Sequence, residues 1–136
     1  MNNQSPIGLF DSGVGGTSIW HEVHRLLPHE NTVYFADSHN APYGDKSQDE
    51  IIALSKQKVE FLLEKNAKII VVACNTATTN AMKVLRHDYD VPFIGLEPAI
   101  KPAAALTKTG HIGVLATKRT ISSEQYQQAA LAYQNV

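Results

Sequence analysis

Apolar residues in this chain come in short blocks rather than in single alternation. Residues 6–11 (PIGLFD), 31–36 (NTVYFA), 68–73 (KIIVVA), 92–96 (PFIGL) and 110–116 (GHIGVLA) are such blocks. A strand covered on both faces reads this way, whereas a half-solvated antiparallel strand alternates. Between the blocks the apolar residues return at helical spacing. Ile19, Val23, Leu26 and Leu27 fall at i, i+4, i+7 and i+8 ahead of Pro28, and Ala77, Ala81, Val84 and Leu85 line a second stripe. Ser47 and Glu50 have capping-box spacing and open a helix to about Lys65. Residues 99–108 predict a weaker helix with Pro102 in its first turn, and residues 121–133 a last helix. Five alternations of strand and helix predict an α/β fold, a parallel sheet flanked by helices on both faces.

Composition narrows the class. A chain of 136 residues that is 43% hydrophobic is large enough for a buried core. Twelve basic residues against thirteen acidic ones, with no basic run, argue against nucleic acid or an anionic membrane as partner. No apolar stretch is long enough to span a bilayer, and MNNQSP lacks the basic and apolar regions of a secretory leader. One cysteine cannot close an intrachain disulfide, which fits a reducing cytoplasm. The six histidines show no ligand spacing, so no metal is expected.

Open parallel sheets bind ligands beyond the carboxyl ends of their strands. Those ends here carry Asp11-Ser12 followed by GVGG, Asp37 leading to Pro42-Tyr43-Gly44, Cys74-Asn75-Thr76, and Thr117 with Thr120 just beyond. The glycines after Ser12 permit a tight turn whose N–H groups face an anion near a helix start; equally, Asp11 or Ser12 acts as the cap of an ordinary turn. The sequence is neither a Walker motif nor GxGxxG, so nucleotide binding is unsupported. Cys74 stands at the mouth of a strand and the first turn of a helix, where the dipole and free amides favour a thiolate. Its structural alternative is a buried, inert thiol. The Pro42-Tyr43-Gly44 turn reads as a surface turn or as one that reaches a ligand.

The stretches GLFDSGVGG, the D…PYG loop, VVACNTAT and IGLEPAIKPA, in this order and spacing, resemble the cofactor-independent glutamate racemases over residues 7–126. Aspartate racemases of the same superfamily look different at the first loop. The resemblance implies two similar α/β domains with the active site between them, L- and D-glutamate as substrates, and D-glutamate supply for peptidoglycan. It implies no cofactor and no metal. It matches Cys74 to one of two catalytic cysteines and Asp11 to a residue assisting it. It places Asp11, Ser12, Tyr43, Gly44, Asn75 and Thr76 at the substrate, with Thr117 and Thr120 lining the same pocket. Two opposed thiols suit the reaction, since one face of the α-carbon loses a proton while the other gains one.

The chain departs from the pattern in length, the family being about twice as long. It also lacks the second cysteine, which the family carries in a CTH setting. The reading that follows is a first α/β domain over 1–97 without its C-terminal segment, and the opening units of a second over 98–136. Such a chain is expected to be inactive alone and to expose apolar faces that favour self-association or a homodimer. Two other readings stand beside it. One is a thiol hydrolase or transferase with Cys74 as nucleophile and His39 as base. The other is a remnant that binds a dicarboxylate without turnover.

Overall fold

The computed structural model describes residues 4–134. Among them four strands form one sheet: β1 (Ile7–Asp11), β2 (Thr32–Ala36), β3 (Ile69–Val72) and β4 (Phe93–Gly95). Their order is β2-β1-β3-β4 and every pairing is parallel. The central pair is the most apolar, and all five residues of β1 are buried.

The two-residue period of the strands divides the core in two. Ile7, Leu9 and Val71 face α1 (Thr17–Leu26), where Ile19, Trp20 and Val23 cover them. Phe10, Ile70 and Val72 face the other way, into a larger cluster with α2 (Gln48–Glu64) and α3 (Asn75–Asp88). The capping box that starts α2 is formed: Ser47 Oγ accepts from the Glu50 N–H, and the Glu50 carboxylate accepts from the Ser47 N–H. Ala77, Ala81 and Leu85 of α3 are fully buried, as their spacing predicts. No described helix is long and apolar enough to cross a membrane.

Three local expectations fail. Residues 110–116 form no strand. A strand is made by its ladder partner, and no described residue pairs with this segment, in which Leu115 is fully exposed. It runs instead beside α4 (Ile100–Leu106), sharing a groove with Ile100 and Ala103. The apolar stripe of α1 is buried only in part: Leu26 and Leu27 at its end are exposed. The single last helix is two, α5 (Lys118–Ile121) and α6 (Glu124–Leu131), because Ser123 caps the second by accepting from the Tyr126 N–H at 3.3 Å. Both lie against α3, and α5 also packs on the 3-10 turn at Tyr43–Asp45.

Candidate active site

β1 and β3 are neighbours, so their carboxyl ends deliver Asp11 and Cys74 to one edge of the sheet. Asp11 is buried and organises the glycine loop around itself. Its Oδ1 accepts from the Ser12 N–H at 2.7 Å and its Oδ2 from the Gly16 N–H at 2.8 Å. Two loop amides thus turn inward to a carboxylate of the chain itself, so the capping alternative describes them. Gly16 is enclosed: a Cβ there would stand 2.7 Å from Tyr34 Oη, 2.8 Å from Ala73 Cβ and 2.9 Å from Asp11 Cβ. Tyr34 donates to the Gly13 carbonyl at 3.1 Å; burial, then the charges of Asp11 and Cys74, push its phenol up to about 12.

Cys74 is the N-cap of α3. Its Sγ accepts from the Ala77 N–H at 3.4 Å, and its thiol donates to Ser12 Oγ at 3.7 Å. The sulfur lines a cleft of about 650 Å³ while its residue is only 6% exposed. Here the thiolate expected from sequence is overturned. Burial pushes the thiol up and the Asp11 charge adds to it; the bonds from Ala77 and Ser12 offset only part. The amides at the helix terminus favour the anion, but desolvation of the sulfur outweighs them. Cys74 rests as a neutral thiol. With one cysteine in the chain, alkylation by iodoacetamide reports this group alone. Its rate is expected to rise with pH toward a midpoint above the ordinary thiol value of 9.0. A midpoint below that value overturns the assignment.

The same cleft is lined by three threonines whose hydroxyls are bonded together. Thr76 Oγ1 lies 2.8 Å from Thr117 Oγ1 and 3.1 Å from Thr120 Oγ1, and Thr117 donates to Thr120 at 3.0 Å. Thr117 is the N-cap of α5, accepting from the Thr120 N–H at 3.2 Å, which explains why the two threonines arrive together. Asp11, Cys74, Asn75, Thr76, Thr117 and Thr120 all line the cleft. Ser12 is not among the lining residues, but its hydroxyl accepts from the Cys74 thiol. No lysine, arginine or histidine is among the described lining residues.

Tyr43 and Gly44 are placed differently. Tyr43 is 1% exposed and turns its ring into the core, while Pro42 and Asp45 on either side stay at the surface. Its hydroxyl donates to Asp37 Oδ2 at 2.6 Å, and Gly44 is pressed against Thr117, whose Cβ a glycine-borne Cβ would meet at 2.7 Å. Neither residue lines the cleft in this conformation. His39 is exposed and also stands outside it. Seven lining residues carried no site role in the sequence: Ser18, Ile19, Ala73, Leu96, Glu97, Leu115 and Ala116. Ser18 and Ile19 follow from the helix that starts after the loop; Leu115 gave no signal beyond its apolar block.

A family model described as Asp/Glu/Hydantoin racemase matches residues 15–135. The glutamate racemase of Herpetosiphon aurantiacus is 52% identical over 128 residues, which are 94% of this chain and 50% of that protein. That of Clostridium novyi is 50% identical over 129 residues, with the same shares. Among solved structures, Escherichia coli glutamate racemase in complex with L-glutamate and the activator UDP-MurNAc-Ala superposes with a TM-score of 0.88 at 40% identity. The match covers 96% of this chain and 50% of that one. Glutamate racemase from Aquifex pyrophilus gives 0.86 at 38% identity, covering 94% and 51%. The chain spans about half the length of the relatives it matches.

Proposed function

The chain belongs to the Asp/Glu/hydantoin racemase family, and from that premise we propose that it carries one half of the active site of a glutamate racemase. The observation that supports this most is the placement of Cys74 beside Ser12 on the wall of a cleft faced by threonine hydroxyls. Substrate carboxylates are held by the amides at the start of α3, where the helix dipole favours an anion, and by Thr76 and Thr117, each of which exchanges a bond within the hydroxyl cluster for one to the ligand while the fully buried Thr120 backs them. These donors stabilise charge as the α-carbon loses its proton.

Cys74 moves a proton on one face of that carbon, and an opposed thiol from outside these 136 residues serves the other. In one direction the neutral Cys74 S–H gives its proton to the carbanion and becomes a thiolate. In the reverse direction the thiolate removes the α-proton. Burial and Asp11 raise the proton affinity of the sulfur, which makes the thiolate a stronger base for a weakly acidic C–H. Ser12, whose hydroxyl accepts from the thiol, orients the proton. Tyr43 and Gly44 join the substrate site through the edge of their turn. The reaction needs neither cofactor nor metal and supplies D-glutamate for peptidoglycan in the cytoplasm. Residues 98–136 belong to this reading as the opening units of a second, similar domain. So does self-association, supported by the exposed Leu26, Leu106 and Leu131. A thiol hydrolase would need an imidazole at the sulfur, and no described histidine lines the cleft.

The test is a chimera that joins this chain to the remaining half of the Clostridium novyi relative. Incubated with L-glutamate in D2O, it is expected to form D-glutamate and to wash deuterium into the α-position. A folded chimera that does neither overturns the proposal.

A further inference from the structure

A buried ammonium lies outside the cleft. Lys58, on the inner face of α2, keeps only 7% of its side chain exposed and pairs with Asp37 at 3.0 Å, whose side chain is 4% exposed. The ammonium also stands 5.3 Å from the centre of the Phe35 ring. Asp37 accepts from Tyr43 at 2.6 Å and from the Asn40 amide at 2.9 and 3.1 Å. Burial alone would raise its carboxyl, but the bonds from Tyr43, Asn40 and Lys58 hold it below the usual range. Removing two charges from water is costly, and an apolar pair of similar volume often serves stability as well or better. A role in geometry accounts for what stability does not.

The contacts lead from this pair to the cleft. Tyr43 belongs to the same apolar cluster as Cys74, so fixing its ring fixes part of the packing around the sulfur. The next residue, Gly44, is seated directly under Thr117. The turn is tied to α5 a second time, by Arg119 Nε donating to the Lys46 carbonyl at 2.8 Å. Thr117 in turn lies 2.8 Å from Thr76. The series Lys58, Asp37, Tyr43, Gly44, Thr117, Thr76 runs unbroken from the middle of α2 to the substrate hydroxyls. Its first two members line no part of the cleft.

We propose that Lys58 and Asp37 form an internal ionic latch that sets the 42–44 turn, and through it the position of Thr117 and the cover of Cys74. They are positioning residues for the glutamate site, and their role in catalysis rests on that reading. The latch itself does not.

The test therefore uses no substrate. Lys58→Met leaves Asp37 buried without its cation. It is expected to shift the amide NMR signals of Gly44 and Thr117 and to raise native-state alkylation of Cys74 about tenfold, a modest shift in a local opening equilibrium. Val23→Ala, a truncation on α1 in the other apolar cluster, is the control for lost stability: it is expected to leave the Gly44 and Thr117 signals in place. In Asp37→Asn/Lys58→Met the charges go, but the side-chain carbonyl of the introduced amide still accepts from Tyr43, and the alkylation rate is expected to return toward wild type. If Lys58→Met does not fold, Tyr43→Phe, which removes one hydroxyl from the series, is expected to shift the same two amides. Unmoved amides in a folded variant, or equal shifts in Val23→Ala, overturn the latch. A chain that shows the shifts while its chimera fails to racemise overturns the function and leaves the latch standing.

Discussion

Cys74→Ala in the chimera is expected to lower racemisation by about 10²- to 10⁴-fold, the range for a positioned acid–base group. Both directions of the reaction should fall together. The thiol acts on one face of the α-carbon, and neither enantiomer is formed or consumed without a proton passing on that face. Glutamate binding should weaken far less, because the hydroxyls of Thr76, Thr117 and Thr120 are bonded to one another and not to the sulfur. Chiral chromatography of the products, with a parallel calorimetric titration, separates the two effects. Loss of binding equal to the loss of turnover would make Cys74 a packing residue and sink the assignment. The 136-residue chain contributes only one thiol, so the comparison belongs in the chimera.

Gly16→Ala is expected to cost about 1–3 kcal/mol, the usual range for overpacking, and to displace Asp11. The backbone at Gly16 is right-handed helical, with φ −66° and ψ −8°, so any residue could adopt it. Space is the reason for the glycine. Ala73 Cβ and Asp11 Cβ would lie 2.8 and 2.9 Å from the new methyl, and both are fixed to the backbone next to the sheet, unable to rotate away. Relief requires α1 to lift from the sheet, which draws the Gly16 N–H away from the Asp11 carboxylate it meets at 2.8 Å. Urea denaturation should show an earlier midpoint, and the alkylation profile of Cys74 should change with the moved charge. An unchanged midpoint would mean that the loop absorbs the methyl and that Gly16 is no constraint on the site.

The sheet was legible because its central strands, β1 and β3, are buried on both faces and therefore appear as unbroken apolar runs between helical stripes. Residues 110–116 carry the same run and are no strand, since composition describes a residue's preference and pairing describes its neighbours. The start of α2 was legible to the residue through Ser47 and Glu50, a purely local device. That α5 is a separate helix was not: it is four residues long and rests on one hydroxyl, Thr117. At the site, Asp11, Ser12, Cys74, Asn75 and Thr76 could be found because strand ends converge in a parallel sheet. The protonation of Cys74 could not, since it depends on how far its surroundings exclude water. Lys58 and Asp37 are 21 positions apart by their numbers, with no periodic relation between them, and only the folded chain makes them partners.

Among the described lining residues of the cleft the charged side chains are those of Asp11 and Glu97, with no lysine, arginine or histidine, so on this wall the carboxylates of a ligand would be gripped by dipoles alone. Dipoles act at short range, and a wall whose only charged groups are acidic throws no field that draws an anion in. Capture at this wall would then rest on diffusion and fit, and added salt, by screening the acidic groups, would not slow it. Discrimination among acids at this wall would come from the spacing of hydroxyls and amides rather than from any attraction of charge.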